Sequence, residues 1–185
     1  SKRIVGSNTH FAISLDHQDV TNSTAAFCGK LRCNSKGTEF AIYDDSNDPY
    51  GLKTGKPRRE LGIISYKKKL LGPTELIVVM PRVRKDGTVA QFRPSQTEES
   101  MIQLFKAGRV EHMFILRGTA NVAPGGVVEL LPGTIQSGTG KVVFQAHKRP
   151  EGDWAVKYMH PLSCFQAFNI CISIFHNPTT AGLDS

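Results

Sequence analysis

A run without a charged residue, Pro161 to Phe175 (PLSCFQAFNICISIF), lies near the C-terminus of a chain otherwise well supplied with charge. Wound as a helix, it puts Ser163, Gln166, Asn169 and Ser173 on one narrow uncharged stripe and spreads Phe165, Phe168, Ile172, Ile174 and Phe175 over the remaining surface. A helix apolar on nearly all sides is expected to be buried all round. The alternation of Phe168, Ile170, Ile172 and Ile174 with Asn169, Cys171 and Ser173 also fits a half-buried strand. Length favours the helix, because the run exceeds the usual strand and falls short of the ~20 residues that a membrane span needs. On that reading Phe168 is core, and a charge placed there is expected to unfold the domain.

Upstream, the pattern is one of short extended pieces. Thr9 to Leu15 alternates and carries β-formers, and Phe27 to Asn34 and Thr38 to Tyr43 flank the turn Ser35-Lys36-Gly37 as a hairpin. Asp44 to Arg58 reads as a loop. Leu61 to Tyr66 and Leu76 to Met80 are apolar strands joined across Lys67-Lys68-Lys69 and a Gly72-Pro73 turn, and Thr88 to Arg93 is a further strand candidate. Ser95-Gln96-Thr97-Glu98 has the form of a capping box, followed by Met101, Ile102, Leu104 and Phe105 at helical spacing up to Gly108. Val110 to Leu116, Val127 to Leu131, Val142 to His147 and Trp154 to Met159 complete a series of short strands at regular spacing, the pattern of an all-β sandwich or barrel. A closed barrel with one apolar helix inside would account for the C-terminal run.

Composition narrows the class. The 185 residues fit one domain with a real core, and the absence of an initiator Met points to a fragment of a longer chain. No apolar run reaches spanning length and no secretory signal opens the sequence, so a soluble intracellular protein is expected. Cys28, Cys33, Cys164 and Cys171 form no C-x-x-C pair and read as small packing residues in a reducing compartment. A formal charge of +7 makes a polyanion an expected partner, with nucleic acid and an anionic membrane both open.

Catalytic motifs are missing. There is no G-x-S-x-G elbow, and Gly140-Lys141 lacks the remaining residues of a phosphate loop and reads as part of a hairpin turn from Gly138. His10, His17, His112, His147, His160 and His176 have no ligand spacing, so no metal, cofactor or enzymatic activity is expected. The sharper chemistry is at Lys30 and Arg32. Two apart on a strand, they project from one face while Leu31 and Cys33 point to the other. Arg supplies a planar fork for bidentate phosphate contact and Lys a mobile point charge. Taken without its flanking motif, a basic pair on a strand is more often just a solvated face.

Several stretches together resemble the tubby-like proteins, and most closely their plant members. They are Gly6 to Asp16 (GSNTHFAISLD), Gly29 to Asn34 (GKLRCN) with Gly37-Thr38, Arg59-Glu60-Leu61 with Tyr66 and Leu71-Gly72-Pro73, Arg117-Gly118, and Pro161 to Phe168 (PLSCFQAF). The resemblance covers nearly the whole chain, with specific ends and a divergent middle. It implies one tubby-like domain over residues 1–185 with a loose tail from 176: a closed antiparallel barrel of about twelve strands around a buried hydrophobic C-terminal helix. It also implies binding of phosphatidylinositol 4,5-bisphosphate by Lys30 and Arg32, with Arg58 or its neighbour Arg59 adding to the site and His10 at a polar position of the first strand. The protein would then sit on the cytoplasmic face of the plasma membrane and pass to cytoplasm and nucleus when the lipid is hydrolysed.

The departures from the family pattern remove basic residues. Thr74 and Glu75 stand where the family has arginines, and Arg117 to Val128 (RGTANVAPGGVV) loses further basic positions, Gly126 among them. Lys67-Lys68-Lys69 and the crowd of Arg82, Arg84 and Lys85 restore the total charge elsewhere. Many plant relatives carry an F-box that recruits a ubiquitin ligase. These residues contain none, so that partner is not implied. The alternative function is a nucleic-acid-binding or transcription-regulating domain, for which only non-specific attraction of phosphates is motivated.

Overall fold

The computed structural model describes residues 2–4, 10–16, 18, 25–45, 57–120, 126–133 and 140–177, the first three by backbone alone. His17, residues 6–9, 121–125 and 138–139, and the tail from 178 onward lie outside the described residues.

Ten strands follow one another in chain order through a single sheet. They are β1 (Lys2–Ile4), β2 (His10–Ser14), β3 (Phe27–Cys33), β4 (Glu39–Tyr43), β5 (Glu60–Lys67), β6 (Glu75–Pro81), β7 (Met113–Thr119), β8 (Val127–Pro132), β9 (Phe144–Lys148) and β10 (Trp154–Tyr158). Each pair of described register is antiparallel. Among the described residues no ladder joins β1 to β10, so hydrogen bonds do not close the sheet, and ten strands stand where a closed barrel of about twelve was expected. Thr88 to Arg93 forms no strand. Its residues divide between two partners, Val89 bridging back to Val83 across the turn at Gly87 (φ 81°) and Phe92 bridging Glu60, so no continuous ladder forms.

By contacts the chain forms two compact units, Ser1–Ile63 with Met80–Met113 and Ile64–Val79 with Phe114–Ser185. In the first, the β3–β4 turn is held by Asn34, whose Oδ1 accepts from the Thr38 and Glu39 amides at 2.9 and 3.2 Å, while Gly37 takes φ 70°. A 3-10 turn (Thr97–Glu99) leads into the short helix α1 (Met101–Lys106). The capping expected from Ser95 to Glu98 runs to Glu99 instead, whose carboxylate accepts from the Ser95 amide at 2.9 Å and hydroxyl at 2.7 Å.

The second unit holds the C-terminal helix α2 (Cys164–His176). Its start is a capping box: Ser163 Oγ accepts from the Gln166 amide at 3.2 Å and Gln166 Oε1 accepts from the Ser163 amide at 2.9 Å. The helix is confirmed, but its burial differs from the reading that made its polar stripe the exception. Asn169 and Ser173 are fully buried, whereas Phe168 is 46% and Phe175 53% exposed, and Cys164 is exposed rather than packed. The polar pair is buried because it finds partners. Asn169 Nδ2 donates to the Phe165 carbonyl at 2.7 Å, although its Oδ1 has no partner among the described residues, and Ser173 Oγ donates to the Ile170 carbonyl at 2.7 Å. The Tyr66 hydroxyl meets Ser173 Oγ at 2.9 Å and ties β5 to the helix. Phe175 packs edge-on against Trp154 with ring centroids 5.2 Å apart. On β7, Gly118 is required by close approach, since a Cβ there would lie 1.8 Å from the Glu129 carbonyl oxygen of β8.

Candidate anion-binding site

Strand β3 buries Phe27, Gly29, Leu31 and Cys33 and turns Lys30 and Arg32 outward, as a period of two dictates. The register then fixes their neighbours. His10 of β2 and Ala41 of β4 flank Arg32, and Ala12 of β2 and Tyr43 of β4 flank Lys30. Ala41 is small, and beside it opens a cavity of about 260 Å³ walled by Arg32, Tyr43, Arg58 and Glu60 together with residues of the 94–103 segment.

Arg58 enters this cavity as a nearly buried cation, 8% exposed, its guanidinium 5.8 Å from the centroid of the Tyr43 ring. Glu60 is only 1% exposed. Its carboxylate accepts from the Met101 amide at 2.5 Å, at the first turn of α1, and hydrogen-bonds the Tyr43 hydroxyl. Burial pushes the Glu60 carboxyl above its usual range against the pull of those two bonds. Tyr43 is pushed up to about 12, first by burial and next by the Glu60 charge, with Arg32 and Arg58 opposing. Lys30 is held below its ordinary value by burial and then by the charges of Arg58 and Arg32. Arg58 and Arg32 thus crowd positive charge around Lys30, an arrangement that a bound anion would relieve.

The structure therefore brings Arg32 and Arg58 onto one cavity wall with Lys30 within electrostatic reach, and sets His10 next to Arg32 by register. Arg59 goes elsewhere. Its Nε lies 3.7 Å from Asp44 Oδ2, and the two residues exchange backbone contacts, the Asp44 amide donating to the Arg59 carbonyl at 3.1 Å and the Arg59 amide to Asp44 Oδ1 at 3.3 Å. Sequence reasoning missed Tyr43, Glu60 and Ser100. Tyr43 was within reach of the hairpin register, which sets it opposite Lys30. Ser100 has no local signal; its Oγ is enclosed at the cavity and without a partner among the described residues.

At the altered positions, Glu75 pairs with Arg117 at 2.8 Å and the Thr74 carbonyl accepts from the Ala120 amide at 2.9 Å. The arginine kept from the family pattern is thus engaged by a carboxylate that the pattern lacks.

These features define a mainly β protein with one antiparallel sheet, a capped C-terminal helix and a basic, partly enclosed cavity beside its β3–β4 hairpin. The Tub family model matches residues 1–122, and the chain belongs to the Tub family. It is similar to Protein king tubby of Drosophila pseudoobscura pseudoobscura, at 27% identity over 195 residues covering 94% of this chain and 42% of that protein. It is also similar to Protein king tubby of Drosophila sechellia, at 25% identity over 193 residues covering 94% and 43%. The chain spans less than half the length of these relatives.

Proposed function

We propose that this chain is a phosphoinositide-binding module that tethers its protein reversibly to the cytoplasmic face of the plasma membrane. The headgroup of phosphatidylinositol 4,5-bisphosphate occupies the cavity, with Arg32 and Arg58 forking its phosphates, Lys30 adding a mobile charge and His10 at the rim. The observation that carries this reading is the convergence of Arg32 and Arg58 on one cavity with Lys30 close enough to feel both charges. The unpartnered Ser100 hydroxyl supports it, because a polar ligand supplies the missing hydrogen bond. Closure of the sheet around α2, with further strands, belongs to the same reading. It is a binding role without a catalytic step.

Among the described residues no helix is long and apolar enough to cross a membrane, and the proposed attachment is peripheral. Each basic residue near an anionic leaflet contributes roughly 1 kcal/mol, screened by salt, so lipid hydrolysis releases the protein to cytoplasm and nucleus. Sedimentation with vesicles containing the bisphosphorylated lipid tests the reading. The Lys30→Ala/Arg32→Ala protein is expected to lose at least about tenfold in binding, as two charge-assisted contacts imply. Unchanged binding sinks the proposal. Salt-sensitive retention of a DNA duplex by a protein that ignores these vesicles would favour the nucleic-acid alternative.

A further inference from the structure

The connection from β5 to β6 carries two leucines in full contact with water: Leu70 is 101% and Leu71 88% exposed. Turns between strands are ordinarily made with Gly, Pro, Asn, Asp or Ser. This turn has Gly72, at φ 103°, and Pro73 to shape it, and the bend holds both leucines out in water. Immediately before them stand Lys67, Lys68 and Lys69, all exposed. From Leu61 to Thr74 the sequence holds no carboxylate, and Glu75, the first to follow, is engaged by Arg117 at 2.8 Å.

We propose that Lys67–Leu71 is a membrane-insertion tip, in which Leu70 and Leu71 enter the acyl boundary of an anionic bilayer and the three lysines lie among its headgroups. Apolar side chains gain by leaving water, and a cationic cluster is drawn to the cytoplasmic leaflet. An apolar anchor joined to a polybasic patch is the two-signal combination that holds a peripheral protein on a membrane. A convex tip suits a deformable lipid phase, whereas a protein partner would have to offer a matching apolar socket ringed with acid. The inference rests on the reading that this protein meets a membrane, but not on the headgroup cavity, so the two fail separately.

The experiment uses vesicles of phosphatidylcholine and phosphatidylserine without phosphoinositide, alongside titration of the full chain with the soluble inositol headgroup. Leu70→Ser/Leu71→Ser is expected to lower vesicle partitioning by roughly tenfold while headgroup affinity and melting temperature stay unchanged. In a Leu71→Trp protein, brominated acyl chains should quench the new tryptophan and not Trp154 of the wild type. Equal partitioning of the wild-type and double-serine proteins, or an unquenched Trp at 71, overturns the insertion tip. Loss that follows the lysines alone, with the leucines silent, also overturns it. A wild type that partitions to these vesicles but ignores the headgroup overturns the cavity reading and supports the tip.

Discussion

Strand β3 keeps Lys30 and Arg32 toward the outside and Leu31 and Cys33 within, whereas helix α2 buries Asn169 and Ser173 and leaves Phe168 and Phe175 half in water. The two elements handle polarity differently because their backbones do. In a strand, side chains alternate between two faces and the ladder uses the main-chain donors and acceptors, so a charged side chain has only the outer face to occupy. In a helix, a short polar side chain can bond back to a carbonyl one turn earlier, as Asn169 does to Phe165 and Ser173 to Ile170. Burying Ser173 therefore costs little, and its small size admits the Tyr66 hydroxyl to within 2.9 Å, whereas Asn169 keeps an Oδ1 without a partner among the described residues. The cavity beside β3 shows the other limit: Arg58 and Glu60 are buried charged groups, each provided with partners, Tyr43 for both and the Met101 amide for Glu60.

The largest test of this contrast is a pair of aspartates on α2. Ser173→Asp places an unpaired charge where no water reaches and is expected to cost about 3–5 kcal/mol, enough to unfold much of the protein. Phe168→Asp, on the half-exposed face, should remain folded and soluble at a cost of about 1 kcal/mol. Urea midpoints for both variants decide the matter. If Phe168→Asp unfolds and Ser173→Asp does not, the helix presents its faces the other way round.

A smaller contrast lies between two adjacent arginines. If the headgroup sits in the cavity as proposed, removing Arg58 deletes a charge-assisted contact worth about 1.5–3 kcal/mol, so Arg58→Ala should weaken headgroup binding roughly 10- to 100-fold. Arg59→Ala removes a partly buried ion pair with Asp44 and should cost about 1–3 kcal/mol of stability with little change in binding. Calorimetric titration of the two variants with the soluble headgroup separates them; equal losses would mean that the cavity does not define the site.

Local pattern carried the hairpin and the basic pair, because the period of β3 and the Gly37 turn lie within a dozen residues of each other and fix which side chains share a face. The existence of α2 was legible for the same reason, and its S-x-x-Q start could have been read as the capping box it is. Which face of α2 is inner was not legible, since the partner that selects it, Tyr66, is 107 residues away. The cavity had the same obstacle: Glu60 meets Met101 across 41 residues, and nothing near Ser100 announces that it lines the same cavity as Arg32 and Arg58. The choice between Arg58 and Arg59 likewise depended on Asp44 and Tyr43, not on spacing.

The smallest effect concerns Glu60, the buried acid among cations. Burial raises its folded-state pKa above the unfolded carboxyl's 4.5, so the native protein holds this proton more tightly than the unfolded chain does. The corresponding stability is complete below the unfolded value and is lost as pH climbs from there through the raised folded value. Within that window the slope contributed by one group cannot exceed about 1.4 kcal/mol per pH unit. Other carboxyls titrate over the same range, so the informative quantity is the difference between wild type and Glu60→Gln, which keeps an acceptor for the Met101 amide but no ionisable proton. That difference should shift in favour of the glutamine protein as pH rises through the window and then level off. A flat difference would mean that the Tyr43 and Met101 hydrogen bonds fully offset the desolvation of Glu60, and that the cavity holds its carboxylate as readily as water does.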